Sequence, residues 1–358
     1  MIWNIGNRKH EVKGLDDLLV INRSSLNSNE QEAWDLLSRW LEGQPLIFTT
    51  SGSTGDSTEV EISRELVVWS VGQTSKAIGP QIFKAFVSIP VQKIGGAMLV
   101  LRAFLNNWGI QVVEPSSDPM EHLADDHSFD LISLVPYQFF TLIKNGPSSQ
   151  KLKKFNSILL GGEPISSLKE QQAIEWIGTT SIKVFHSYGM TECASHIALR
   201  ELGAPNYRAF EDVSLGIDNA NHLTIDIPHL SVHIQTADLV DLQNKKEFRF
   251  VGRSSFVVNS AGVKIVLEEL EHKIEEILGV DVKTEFFLWK EEDETLGERL
   301  VFLSVSNSEE LEILLNKRLE RYRVPKRFYL VEKIIRTSSG KIDRKSTYER
   351  FNQNRRST

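Results

Sequence analysis

The sequence predicts an α/β protein: a large N-terminal domain of mainly parallel sheet with crossover helices plus a small β unit, followed by a small α+β C-terminal domain. Two patterns and one break carry this reading. From Leu46 onward, short apolar runs alternate with helical stretches: LIF then RELVVWSVGQTSKAI, FVSIP then IGGAMLVLRAFL, LISLVP then YQFFTLIK, SILLGG then EPISSLKEQQAIEWI. Such alternation marks parallel strands returned by helices. Between about 213 and 252 the runs LTIDIP, VHIQTADLVDL and EFRFVG are closely spaced, β-branched and aromatic, as antiparallel strands are. Charge density then rises. Residues 1–252 carry 21 basic and 29 acidic side chains, whereas the shorter stretch 253–358 carries 20 and 19, which sets a domain boundary near Arg253.

Taken in order, QEAWDLLSRWLE (31–42) brings Ala33, Leu37, Trp40 and Leu41 to one helical face, and Gly43 and Pro45 end it. This helix is expected to precede the first strand. IQVVEP and KVFHSY read as further strands in the alternating series. Beyond Arg253 a helix (VLEELEHKIEEIL), strands (EFFLW, LVFLSVS), a second helix (EELEILLNKRLERY) and a strand (RFYLVEKI) lead into a basic tail. Lys317 to Arg356 holds 14 basic residues against four acidic ones, a locally positive surface.

Composition excludes several functions. The chain of 358 residues is 41% hydrophobic and 25% charged, an ordinary globular balance. Its net charge of −7 argues against wholesale coating of nucleic acid. The single cysteine, Cys193, leaves no disulfide framework and no Cys-rich zinc site, and fits a cytoplasmic home. The best apolar run, IGGAMLVLRAFL, is cut by Arg102 well short of the ~20 residues a membrane span needs.

Three segments carry chemistry. Thr49-Thr50-Ser51-Gly52-Ser53-Thr54-Gly55 follows a strand-like run, and its hydroxyls and unencumbered amides can wrap phosphate oxygens. It lacks the Lys of the G-x-x-x-x-G-K-[ST] phosphate loop, so read alone it is either a nucleotide loop of another class or a flexible loop. Gly161-Gly162-Glu163 ends SILLGG, and His186-Ser187-Tyr188-Gly189-Met190-Thr191-Glu192 ends another strand. Ligands of doubly wound sheets bind at the carboxyl ends of strands, so these turns can form one crevice suited to ATP. His186, His196, His229 and His233 have no zinc-like spacing.

TTSGSTG, YGMTE, TAD (236–238), FVGR (250–253) and RTSSGKIDR (336–344) occur in the order found in the adenylate-forming acyl-CoA synthetase superfamily, which the chain resembles from roughly Pro45 to Arg344. The resemblance implies an ATP- and Mg²⁺-dependent ligase in which a carboxylate attacks the α-phosphorus of ATP and a thiol, usually that of coenzyme A, captures the acyl-adenylate. It implies an ATP- and acid-binding domain over 1–252 and a small mobile domain over 253–358. By position, Thr50, Ser51, Gly52, Ser53, Thr54 and Gly55 would hold the β- and γ-phosphates. Thr191 would touch the α-phosphate, and Glu192 would hold Mg²⁺. Tyr188, Gly161 and Gly162 would frame adenine, with Glu163 and Gly189 also among the nucleotide-binding residues. Asp238 would accept from the ribose hydroxyls, Arg253 would fix the nucleotide near the hinge, and Lys341 would stabilise the adenylation transition state.

The chain departs from the family pattern in places. Asp56, Ser57 and Thr58 follow Gly55 where a Lys is usual; Ser255 and Phe256 replace an aspartate pair, Ala261-Gly262 a Gly-Gly, Ala237 a Gly and Ile335 a Pro. Only 48 residues precede Thr49, a short form that resembles o-succinylbenzoate–CoA ligases of menaquinone synthesis. An acid with an aromatic ring and two carboxylates needs apolar walls and a cation for the carboxylate that does not react. Lys93, Arg102, His196 and Arg200 are the candidates. The resemblance leaves open another acid, a carrier-protein acceptor, a catalytically silent nucleotide- or acyl-binding homologue, and a homodimer.

Overall fold

Runs such as FDLISL (Phe129–Leu134) and FNSILL (Phe155–Leu160) are apolar at nearly every position, and both are buried along almost their whole length. Strands of this kind suit a sheet covered on both faces. In the computed structural model, which describes residues 1–6, 8–51, 57–79, 84–125, 127–279, 285–306, 309–336 and 342–356, they lie mid-sheet. Among the described residues the large sheet has 13 strands. Its parallel part runs Ile2–Ile5, Gly109–Val112, Lys84–Val87, Phe129–Leu134, Phe155–Leu160 and Lys183–Tyr188. The strands between 198 and 253 then continue the same sheet in antiparallel fashion.

The helices that the sequence predicts are present, and Leu15–Leu19, Gly146–Leu152 and Arg344–Arg356 are further helices it does not predict. Ser28–Leu41 is closed at its start by a capping box between Asn27 and Glu30. Arg64–Ile78 is capped by Ser63, whose hydroxyl accepts from the Leu66 N–H at 3.2 Å. Ile94–Leu105 is buried without a break from Gly96 to Ala103, so that Arg102 enters the core with its neighbours. Gly96 permits this depth: a β-carbon there would stand 2.3 Å from the Pro90 carbonyl oxygen.

Two expectations are revised. The helix at 28–41 is not preceded by helix or loop alone, because strands Ile2–Ile5 and Arg8–Glu11 come first and close one edge of the large sheet. Leu46–Ser51 does not join the parallel series. It pairs antiparallel with Ser57–Ile62, Leu46 opposite Ile62 and Ser51 opposite Ser57, in a separate two-stranded sheet. The physical reason is length: a parallel return needs a crossover of a dozen or more residues, and a tract this short can only make a hairpin.

The large sheet takes its last strand from Glu247–Arg253 and the second sheet its first from Val257–Ser260. In that second sheet Val263–Val266, Val257–Ser260, Gly297–Ser304 and Phe286–Asp293 are antiparallel, and Arg327–Leu330 runs parallel to Gly297–Ser304. Helices Leu267–Leu278 and Glu309–Arg318 pack around it, and the basic tail is itself a helix, Arg344–Arg356. Ala261 and Gly262 turn the first hairpin with φ of 51° and 83°. Both lie in the left-handed region, where the alanine costs about 1 kcal/mol that a glycine would not.

Glu268 sits between the two sheets. It is 8% exposed, and its Oε2 accepts from the backbone N–H of Arg253 at 2.8 Å. Burial pushes its carboxyl up to about 7, against the pull of that N–H and of Arg344, and with Glu271 adding to the rise. The folded state therefore binds a proton between pH 4.5 and 7 that the unfolded chain releases. This group's contribution to stability is fullest below its unfolded value and falls as pH rises toward 7. Unfolding of wild type and Glu268→Gln by denaturant across this range should show the wild type losing up to about 3 kcal/mol relative to the variant. Parallel pH profiles would contradict the buried carboxyl.

Candidate functional site

Asp238 lies on the long strand Val232–Asn244 and is 5% exposed. A carboxylate this deep needs donors, and it has two from side chains. The Tyr188 hydroxyl donates to Oδ2 at 2.6 Å, and Arg253 Nε donates to Oδ1 at 3.0 Å. Register explains the meeting, since Asp238 stands directly opposite Arg253 across the antiparallel pair. Burial, and then the charge of Asp238, holds the Tyr188 phenol well above its ordinary value, so it remains a donor. Its ring sits edge-on to Phe248 at 4.9 Å and tilted against Tyr207 and Phe250. Tyr188 is thus a core aromatic whose hydroxyl reaches Asp238.

The turn after Tyr188 is tightly drawn. A β-carbon on Gly189 would come within 2.2 Å of the Ser195 carbonyl oxygen and 2.3 Å of the His196 α-carbon, so no other residue fits. Thr191–Cys193 forms a single 3-10 turn that leaves Glu192 exposed and Thr191 half-buried. Ala194 and Ser195 follow at φ of 53° and 94°. Two consecutive non-glycine residues in the left-handed region store strain of about 1–3 kcal/mol each, which surrounding contacts must hold. Strand Ser57–Ile62 packs against Thr191–Cys193. Thr50 and Ser51 belong to its first strand, while Gly52, Ser53, Thr54, Gly55 and Lys341 lie outside the described residues.

Beneath the strained turn lies a buried polar group that sequence reasoning assembled only in part. Arg102 is 1% exposed, and among the described residues its hydrogen-bond partners are two hydroxyls and an imidazole. Its Nε donates to Thr74 Oγ1 at 3.1 Å and its Nη2 to Ser70 Oγ at 3.3 Å. The Ser70 hydroxyl donates onward to the Ala194 carbonyl at 2.8 Å. Thr74 spends its proton on the Ser70 carbonyl, so His196 Nε2, 3.0 Å from Thr74 Oγ1, must be the protonated nitrogen. Ser195 Oγ then faces the bare Nδ1 at 3.1 Å. Burial lowers Arg102 to about 9, and burial followed by the Arg102 charge holds His196 well below its ordinary value.

The remaining candidates separate. Arg200 is bound bidentately by Glu170 at 2.6 and 2.8 Å, and this pair fixes helix Ser167–Ile177 to the sheet. Lys93 is exposed at the start of helix Ile94–Leu105 and lines a cleft of about 320 Å³ together with Thr49, Phe48 and Arg39. Gly161 continues from strand Phe155–Leu160 with its N–H on the Leu134 carbonyl at 3.2 Å; Gly162 has φ of 95°, and Glu163 follows. The structure therefore brings Tyr188, Asp238 and Arg253 into contact, sets Gly161–Glu163 at the adjacent strand end, and joins Arg102 to His196. It leaves Arg200 in an internal ion pair. Ser70, Thr74 and Glu268 were missed, because nothing in a lone helical Ser or Thr tells which buried cation it will face.

Cys193 is fully buried, and burial pushes its thiol up to about 12, consistent with no chemistry there. Among the described residues no helix is long and apolar enough to cross a membrane. Tyr188→Phe keeps the ring and removes only the hydroxyl that holds Asp238. Denaturant unfolding should show a loss of about 1.5–3 kcal/mol, the range for a hydrogen bond to a charged group. A change below ~0.5 kcal/mol would mean that Asp238 does not depend on it.

Residues 26–235 match the family model described as AMP-binding enzyme, more than half of the chain. A 2-succinylbenzoate–CoA ligase of Listeria monocytogenes is 25% identical over 361 residues, covering 93% of this chain and 76% of that protein. One from Staphylococcus epidermidis is 25% identical, covering 85% and 69%. The crystal structure of an acyl-CoA synthetase (AMP-forming)/AMP-acid ligase II-like protein from Dyadobacter fermentans is 30% identical with a TM-score of 0.60, covering 94% of this chain and 98% of that one. The fold is also that of the o-succinylbenzoate CoA synthetase of Bacillus subtilis solved with an acyl-adenylate intermediate, with a TM-score of 0.70 at 20% identity over 83% of this chain and 67% of that one. The family match, over more than half of the chain, means that the chain belongs to the AMP-binding enzymes.

Proposed function

We propose that this AMP-binding enzyme is an AMP-forming acid–thiol ligase that converts o-succinylbenzoate to its coenzyme A thioester. A carboxylate oxygen attacks the α-phosphorus of ATP and the bond to pyrophosphate breaks. The coenzyme A sulfur then attacks the acyl carbon, the thiol proton leaves, and AMP departs with the bonding pair. The names of the Listeria and Staphylococcus relatives support the substrate. The observation that carries it is Arg102, a guanidinium buried to 1% exposure with only neutral partners. Buried charges are ordinarily paired, and a substrate with a second carboxylate would supply the missing anion. Arg200, already neutralised by Glu170, has no such need. His196 stays uncharged beside Arg102, and Lys93 stands at the rim of the neighbouring cleft.

Residues divide the work. Asp238, prepared by Tyr188 and Arg253, is the acceptor for ribose hydroxyls, and Gly161, Gly162, Glu163 and Gly189 border the base. The Ser/Thr/Gly hairpin and Thr191 supply donors to phosphate oxygens. The donor set fits magnesium. Mg²⁺ keeps several waters and is held through one or two carboxylates plus substrate phosphates, and the exposed Glu192, in the turn against which strand Ser57–Ile62 packs, is such a carboxylate. When bound, the ion would draw charge from the pyrophosphate as it departs. We assign 1–252 to this binding work and 253–358 to a mobile unit carrying Lys341.

ATP–pyrophosphate exchange across a panel of carboxylic acids tests the proposal. O-succinylbenzoate should support exchange, and its analogue without the ring carboxylate should fall by about 10²-fold in kcat/KM, the penalty of leaving a buried cation unpaired. Arg102→Met should abolish that preference. No exchange with any acid, or equal rates for both compounds, would refute it. Lys341→Ala should lose adenylation by ~10²–10³-fold while still passing supplied acyl-adenylate to coenzyme A. Equal loss in both half-reactions would deny Lys341 a role confined to the first.

A further inference from the structure

We propose that His186 is a positioning residue for the adenine side of the crevice: a neutral imidazole whose Nε2–H clamps the Glu163 carbonyl and so fixes the Gly161–Glu163 turn. The proposal rests on the reading that this turn borders the base.

The tautomer follows from the partners. His186 Nε2 lies 2.9 Å from the Glu163 carbonyl oxygen, which can only accept, so Nε2 carries the proton. Nδ1 is then bare and takes the Tyr207 hydroxyl at 2.8 Å, with Arg200 Nη2 at 3.3 Å. Arg200 cannot drift. Glu170 holds it at two points, its Nη1 also donates to the Ala204 carbonyl at 2.8 Å, and Glu170 Oε1 takes the Gly203 N–H at 2.7 Å. The imidazole is therefore pinned from behind by a guanidinium and a phenol that are themselves pinned. Burial, reinforced by the Arg200 charge, lowers it to about 4, so it does not change state near neutrality.

The turn needs such a clamp. Gly161 and Gly162 have no side chains to wedge into the core, and Gly162 sits at φ of 95°. The neighbouring strand Lys183–Tyr188 supplies two side-chain anchors. Ser187 Oγ donates to the Leu160 carbonyl at 2.9 Å just before the turn, and His186 holds the Glu163 carbonyl just after it. The next residue, Tyr188, grips Asp238. Three consecutive side chains of one strand thus set both borders of the nucleotide crevice. At 2% exposure, with Nδ1 covered, His186 is excluded as a general base.

The test compares His186→Ala, His186→Gln and Tyr207→Phe in ATP–pyrophosphate exchange. His186→Ala should raise the KM for ATP about tenfold, as expected for one lost positioning hydrogen bond, and leave the KM values for acid and pyrophosphate near wild type. His186→Gln, whose amide N–H can reach the same carbonyl, should recover most of the loss. An ATP KM within twofold of wild type, or a common rise for ATP, acid and pyrophosphate, would overturn the proposal. If His186→Ala does not fold, the same readings are taken on Tyr207→Phe, which should show a smaller increase confined to ATP; no increase there would overturn it. If wild type exchanges with no acid, the ligase reading fails, and equilibrium dialysis of ATP decides this proposal separately. A weaker Kd in these variants would uphold the clamp, and an unchanged one would refute it.

Discussion

The buried carboxylate of Asp238 is the constraint on which the union of the parallel and antiparallel parts of the large sheet depends. A charged oxygen pair at 5% exposure is tolerated only if donors reach it, and both donors come from other segments: Tyr188 from the parallel core of the sheet and Arg253 from its last strand. Satisfying one ionised side chain therefore locks the antiparallel continuation onto the parallel core in a single register. The same strand that delivers Tyr188 delivers Ser187 and His186 to the opposite border. The positions of these side chains are consequently set by sheet geometry rather than by loop packing, as the proposed nucleotide-binding role would require.

Arg102 and Arg200 show how burial alone misleads. Both are arginines near the same turn, and both are removed from water. Arg200 faces Glu170 across a bidentate pair, and its stacking toward Tyr207 at 5.3 Å completes a rigid post behind His186. Its charge is compensated inside the fold, so it supports the site without offering anything to a ligand. Arg102 has hydroxyls and a neutral imidazole instead. Its charge costs the fold several kcal/mol that nothing in the described surroundings offsets. Through Ser70 it also reaches the carbonyl of Ala194, so an anion arriving at Arg102 would act on the strained turn that carries Thr191 and Glu192.

Much of this arrangement was legible in the sequence, and the failures have causes. The parallel core followed from apolar runs alternating with helices, since burial on both faces leaves that pattern on every strand. The Ser/Thr/Gly tract was found by composition, but its hairpin was read as part of the parallel series because a short apolar run looks alike in either setting. The N-terminal strands Ile2–Ile5 and Arg8–Glu11 escaped notice for the opposite reason: at the sheet edge only Trp3 is fully buried, and RKHE has the polarity of a loop. Tyr188, Asp238 and Arg253 stood out through ordered strings, whereas their mutual contact depends on a register visible only in three dimensions. Ser70 and Thr74 left no signal, since a hydroxyl on a helix commonly bonds its own backbone, as Thr74 does.

The boundary near Arg253 gains a physical meaning from its hydrogen bonds. The side chain of Arg253 belongs to Asp238, while its backbone N–H belongs to Glu268 at the start of the following helix. Gly252 allows the approach, because a β-carbon there would stand 2.6 Å from Glu268 Oε2. Glu268 in turn feels Arg344, which is held by Glu271 at 2.6 Å and lies over the Phe256 ring at 4.7 Å. Phe256, one of the residues standing where the family pattern has aspartate, thus gives the arginine an aromatic face instead of a charge. Any rotation of the second unit about this junction must first part Glu268 from the Arg253 amide. Burial raises that carboxyl to about 7, so parting the contact and wetting the group would lower it again and release its proton. The proposed nucleotide site and the junction therefore share Arg253, so whatever tightens Asp238 on Arg253 also fixes the strand end that Glu268 holds.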